Sequence, residues 1–112
     1  MHATAQVELM FVGFSILIIA LELPLAMNRV KPNGLYGFRF PQTLADKRVW
    51  YLVNSYVGRL SVLTGIAAIV LAVALPLTDI SAAAYGLACA VVFVGGLMAA
   101  IVAGVIYMRR IS

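Results

Sequence analysis

Charge is scarce in this sequence. Only 11% of its 112 residues are Asp, Glu, Lys or Arg, against about 25% in a soluble globular domain, too few for a water-solvated surface. Acidic residues are scarcest. Glu8, Glu22, Asp46 and Asp79 are the whole set, and none stands beside another, so the sequence shows no paired-carboxylate acid/base motif. His2 is the single histidine and Cys89 the single cysteine. A lone cysteine excludes an internal disulfide, a cysteine zinc site and a CxxC redox pair, and no Ser/His/Asp or Cys/His set and no metal-ligand spacing is recognised in the sequence. No catalytic constellation and no cofactor are therefore expected, and Cys89 is read as a packing residue. Residues 1–8 contain no Lys or Arg, and Gly13 to Leu21 leads to Glu22 without a small-x-small cleavage site. The first apolar segment is expected to remain in the mature protein.

What is present is apolar. Hydrophobic residues make up 64% of the chain and the mean hydropathy is +1.06, so this is an integral membrane protein. At roughly 20 apolar residues per crossing, the length suits three spans in one domain, residues 1–112. They are expected at about residues 9–27, 60–77 and 81–108, the third longer than a crossing needs and so tilted or projecting. All eight cations, Arg29, Lys31, Arg39, Lys47, Arg48, Arg59, Arg109 and Arg110, fall in the first connection, at the start of span two or at the C-terminus. The positive-inside rule makes that side cytoplasmic. The N-terminus, with His2 and Glu8, and the Pro76-Leu77-Thr78-Asp79 turn then lie outside. The formal net charge of +4 fits anionic lipid headgroups better than nucleic acid, which needs more cations on a soluble face.

Two features of the spans bear on packing. Gly96, Ala100 and Gly104 recur every four residues on one face of span three, and Ser61 and Gly65 do the same in span two. Such faces admit close backbone approach, either within the three-helix unit or between copies of the chain. Glu22 is the one carboxylate inside a span. An unpaired charge there costs several kcal/mol, so it needs a proton or a partner. Arg59 lies at similar depth and forms a candidate intramembrane ion pair with it; Arg39 is the other cation within reach. Pro24 removes a backbone donor and is expected to tip Glu22 toward the bundle.

The first connection, about residues 28–59, is the specialised part. Pro32 and Pro41 stop helices, while Gly34 and Gly37 permit unusual backbone angles, so an ordered turn is expected up to Gln42. Thr43 and Asp46 read as a T-x-x-D capping box opening a helix near Leu44. That helix is amphipathic, with Val49, Leu52, Val53, Tyr56, Val57 and Leu60 on one side. Lys47, Arg48, Tyr51, Asn54, Ser55 and Arg59 gather on the other. Trp50, Asn54 and Gly58 follow at i, i+4 and i+8 as a stripe between the two faces. Trp50 suits an interfacial anchor, and the three together suit a groove for the turn. Asn33, Arg39, the loop backbone and the helix start near Thr43 also offer donors to an anion such as a phosphate headgroup.

Pro32-Asn33, Tyr36-Gly37-Phe38-Arg39, Pro41, Thr43-Leu44, Trp50, Asn54 and Gly58 resemble the signature of the SdpI family of bacterial membrane proteins. That signature reads P-N-x-x-Y-G-[IFV]-R-x-P-x-T-L, then W, N and G at helical spacing. The resemblance implies an all-α integral membrane fold of three transmembrane helices. It also implies an ordered cytoplasmic Pro/Gly-rich loop and an amphipathic helix leading into span two. In the family's namesake, a longer chain with further spans ahead of the signature, the protein protects the cell against a secreted killing peptide and holds a cytoplasmic repressor at the membrane. Phe40 departs from the pattern, where a small or polar residue is usual, and makes the groove mouth more apolar.

The leading expectation is thus a non-enzymatic immunity or signal-transduction protein of the bacterial inner membrane, conferring toxin resistance. Its candidate binding or loop-docking residues are Asn33, Tyr36, Gly37, Arg39, Pro41, Thr43, Trp50, Asn54 and Gly58. Expected partners are anionic lipid headgroups, a peptide toxin or a cytoplasmic repressor, and a second copy through Gly96, Ala100 and Gly104; nucleic acid is not expected. The alternatives are a small accessory subunit of a membrane complex and a lipid- or anion-binding, transporter-like module using Glu22.

Overall fold

The structure, a computed structural model, describes residues 3–112; His2 lies outside them. Four α-helices follow in order: α1 (Ala3–Ala26), α2 (Pro41–Ala45), α3 (Lys47–Ala74) and α4 (Ala82–Ile111), with a 3-10 turn at Leu75–Leu77 after α3. The helices α1, α3 and α4 are each long and apolar enough to cross a membrane. The last two have 28 and 30 residues, roughly 42 and 45 Å at 1.5 Å per residue. Both therefore exceed a hydrocarbon core of about 30 Å, in keeping with an elongated molecule of 50 × 22 × 18 Å.

α3 is the central helix, packed along its length against α1 on one side and α4 on the other. Small residues on α3 make this contact close. A Cβ on Gly58 would lie 2.7 Å from the Ala26 nitrogen of α1, and one on Gly65 would lie 2.7 Å from Ile19 Cγ1. The small residues of α4 face the same way: Gly96 abuts the Thr64 side chain, Ala100 is buried, and Gly104 abuts Val57 and Phe38. The Gly96/Ala100/Gly104 face therefore serves contacts within the chain.

The two ends of the bundle are built differently. At the end carrying the Leu75–Leu77 turn, α1 meets α4 directly, Phe11 and Phe93 stacking edge to face with centroids 6.1 Å apart. Phe11 there joins a buried cluster with Ala72, Tyr85 and Cys89. Pro76 has no amide hydrogen to give the carbonyl four residues back. The Tyr85 hydroxyl donates to that carbonyl, of Ala72, at 2.6 Å, so a buried tyrosine completes the helix end. At the opposite end the segment 28–40 enters between α1 and α4. Val49, Val53 and Val57 of α3 and Met108 of α4 form a second buried cluster there, against which Phe38 of that segment packs.

Two findings correct the sequence reading. Thr43 and Asp46 do not form one capping box. Pro41 starts the short helix α2 at its first position, and Asp46, extended at φ −139° and ψ 118°, breaks the chain before α3. Asp46 caps α3 alone, accepting from the Arg48 amide at 2.8 Å. α3 then runs without interruption from the polar segment into the span. The second correction concerns Asn54, grouped above with the polar face yet only 2% exposed, whereas Leu52 on the expected apolar face is 36% exposed. The buried seam of α3 includes Trp50, Asn54 and Gly58 because the loop covers Trp50 and Asn54 and α1 packs on Gly58.

Candidate functional site

The loop begins with a helix stop. Asn28 has φ 59°, the left-handed conformation that Asn tolerates better than most residues. The Arg29 amide reaches back to the Pro24 carbonyl at 2.9 Å and the Asn28 amide to the Leu25 carbonyl at 3.2 Å. This is a Schellman-type termination of α1. The Ala26 carbonyl, left without a helical donor, accepts from Ser55 Oγ of α3 at 3.0 Å.

Asn33 shapes the turn itself. Its Oδ1 accepts from the Leu35 and Tyr36 amides, both at 2.9 Å, and its Nδ2 donates to the Lys31 carbonyl at 2.8 Å. Thr43 closes the other end, its hydroxyl accepting from the Phe40 amide at 2.8 Å and lying 3.0 Å from the Phe38 carbonyl. The polar atoms of both residues are thereby used inside the loop. Asn33 and Thr43 organise the turn and are not turned outward toward an anion.

The stripe on α3 holds the turn in place. Asn54 Oδ1 accepts from the Phe38 amide at 2.6 Å, and its Nδ2 donates to the Phe38 and Trp50 carbonyls at 3.3 and 3.0 Å. Trp50, with 0% exposure, donates Nε1 to the Val30 carbonyl at 2.8 Å. Gly37 is forced by this contact. Its φ is +114°, and a Cβ there would sit 2.9 Å from Asn54 Oδ1 and 3.1 Å from Trp50 Cη2. Gly58 lets α1 approach closely enough for the loop to leave α1 and reach the stripe. Trp50 is thus an anchor for the loop backbone.

Beneath the loop lies a cleft of about 410 Å³, lined by Glu22 of α1, Arg39 and Phe40 of the loop, Ser61 of α3 and Ile101 of α4. Phe38 and Phe40 roof it, their rings 4.8 Å apart. Glu22 and Arg39 therefore face one space from two elements. Arg39 gives Nη1 to the Gly34 carbonyl and is otherwise exposed. The Glu22–Arg59 pair is not formed. Arg59 is exposed and turns Nε onto the Ser55 carbonyl at 3.3 Å, and it borders a different hollow, with Leu23 and Ala26. Equal depth did not put the two side chains on the same side of their helices. Tyr36 is half-buried near Glu22; burial and, secondarily, that carboxylate push its phenol above the ordinary value, so it stays protonated at neutral pH.

Sequence reasoning thus found the stripe and the turn residues but missed four contributors. Ser55 and Asn28 carried a weak signal, a hydroxyl on the stripe side and an Asn just past a helix end. Phe38 was visible only as the hydrophobic position of the signature and Ser61 only as a small residue of span two; that Phe38 fills the space left by Gly104 and that Ser61 lines the cleft had no local signal, because both roles are set by α4 and α1.

A three-span membrane bundle whose first connection is locked by Asn and Trp onto the middle helix is the class of protein that this geometry defines. The sequence model of the SdpI/YfhL protein family matches residues 29–108, a stretch that takes in the loop, the stripe, α3 and most of α4. The chain belongs to the SdpI/YfhL family. No curated protein and no solved structure shows a significant match to it.

Proposed function

We propose that the chain is a non-enzymatic immunity or signal-transduction protein of the bacterial cytoplasmic membrane, with its N-terminus outside and its C-terminus inside. Family membership and the clustering of the cations support this reading. The observation that carries it is the locked loop: the signature residues build a rigid surface at the membrane boundary. That surface presents Leu35, 91% exposed, among Arg29, Lys31 and Arg39, all three exposed. A membrane-active peptide would meet the cleft from the bilayer, and a cytoplasmic regulator would meet the outer side of the loop. Rigidity suits either role, since a preorganised surface loses little entropy on binding.

The test is expression in a sensitive bacterium challenged with membrane-active peptides. Protection that Arg39→Ala diminishes supports the immunity reading. No protection by the unaltered chain, at verified expression, counts against it. A second reading, an accessory subunit of a membrane complex, draws on a shallow hollow of about 500 Å³ between α3 and α4 that is lined by small residues such as Thr64, Ala67, Ala99 and Ala103. Purification in mild detergent separates the two, because an accessory subunit brings a different protein with it.

A further inference from the structure

The loop's hydrogen bonds account for its shape but not for the cleft it roofs. Side-chain donors at this end of the bundle go to backbone carbonyls, those of Val30, Ala26, Phe38 and Trp50 among them, and among the described residues none goes to Glu22. A carboxyl group in a largely apolar cleft needs a counter-charge or a proton. Arg39 stands at the same cleft, yet its Nη1 is held by the Gly34 carbonyl. One acid and one base thus border the cleft without neutralising each other. Among the other walls Ser61 is polar, while Ile18, Leu97 and Ile101 are apolar, and Ile101 is 46% exposed. The space exists because Phe38 occupies the gap between α1 and α4 at this end, whereas Phe11 and Phe93 close it at the other.

We propose that this cleft binds the headgroup of an ethanolamine phospholipid drawn sideways from the bilayer. Its ammonium lies on Glu22, its phosphate on Arg39, and the upper part of one acyl chain along Ile18, Leu97 and Ile101. A volume of about 410 Å³ falls within the usual range of small-ligand sites, roughly 300–1,000 Å³. The charge pattern selects the headgroup. A glycerol headgroup brings a phosphate to Arg39 but leaves Glu22 without a cation beside a second anion. A choline headgroup brings a cation with no N–H to donate, so the charge-assisted hydrogen bond is lost. A free amine lacks the phosphate. Glu22 lies one turn before the end of α1, near headgroup depth, where such a lipid reaches it without crossing the hydrocarbon.

The inference stands on the cleft and is independent of whether the chain protects a cell. Its test is native mass spectrometry of the full chain in detergent, loaded in turn with phosphatidylethanolamine, phosphatidylcholine and phosphatidylglycerol. The ethanolamine lipid is expected to be retained about tenfold more than the glycerol lipid. Glu22→Gln brings that ratio near one, Arg39→Ala weakens retention of all three, and Arg59→Ala keeps the original ratio. Equal or better retention of the glycerol lipid overturns the proposal, and so does an unchanged ratio in Glu22→Gln. Should Glu22→Gln fail to fold, Ile101→Trp tests the same site by filling it. Lost ethanolamine-lipid retention then supports the proposal, and undiminished retention overturns it.

Discussion

Gly58→Ala puts a methyl group where α1 and α3 touch through their backbones. The new Cβ would lie 2.7 Å from the Ala26 nitrogen and 3.0 Å from the Glu22 carbonyl oxygen, and ordinary contact begins at 3.4 Å. Neither atom is on a flexible side chain, so α1 itself must retreat by about 0.7 Å, the difference between 3.4 and 2.7 Å. Overpacking of this kind costs about 1–3 kcal/mol, and the retreat also stretches the Ser55–Ala26 hydrogen bond one turn away. Gly65→Ala is the milder case, because its closest neighbour is the Ile19 side chain, which can change rotamer. Gly86→Ala meets nothing within 4 Å and gains helix propensity of up to about 1 kcal/mol. Unfolding by titration from a mild detergent into dodecyl sulfate, followed by helical circular dichroism, should rank Gly58→Ala well below Gly65→Ala and Gly86→Ala highest. Both variants gain that propensity, so the separation between the extremes is the overpacking cost, about 1–3 kcal/mol. A Gly58→Ala variant as stable as Gly86→Ala would refute the close crossing.

Trp50 is the only tryptophan and is fully buried. Its emission should therefore be blue-shifted and poorly quenched by acrylamide, and Asn54→Ala, which frees the loop above it, should shift the emission to the red and raise quenching. Tyr36 gives the pH dependence. Because its phenol is raised by burial and by Glu22, the unfolded chain loses this proton first as pH rises. Stability from this group is therefore complete below about pH 10 and declines as pH rises toward the folded-state value. Tyr36→Phe should flatten that alkaline decline in thermal melts, and a decline of unchanged steepness would count against the burial of this phenol.

The membrane class and the three helices were legible because long apolar runs leave few other structures for the backbone in lipid. The stripe of Trp50, Asn54 and Gly58 was legible because i, i+4 and i+8 fall in line on any helix. What that spacing cannot supply is the azimuth of one helix relative to another. Glu22 and Arg59 were paired on depth alone, and the helices turn them to different hollows. Asn54 was grouped with the polar face because a helical wheel sorts residues by polarity, whereas a buried amide is placed by the backbone it must satisfy. The Thr43–Asp46 box failed because Pro41 initiates a separate helix and Asp46 is extended, so both residues work as caps of different segments. The cleft was illegible, since it is the space left when Phe38 of the loop fills one part of a gap that α1, α3 and α4 define.

The locking of the loop onto the middle helix is tested most directly at one amide. The Phe38 N–H donates to Asn54 Oδ1 at 2.6 Å, on a segment outside the spans where solvent deuterons have access. Exchange of the 15N-labelled chain, read residue by residue by NMR in micelles, should show the Phe38 amide strongly protected relative to the exposed Leu35 tip. In Asn54→Ala the amide loses its partner, a loss of about 1–3 kcal/mol, and its protection should fall by roughly one to two orders of magnitude. A Phe38 amide that exchanges in the unaltered protein as fast as an unstructured one would contradict the locked loop.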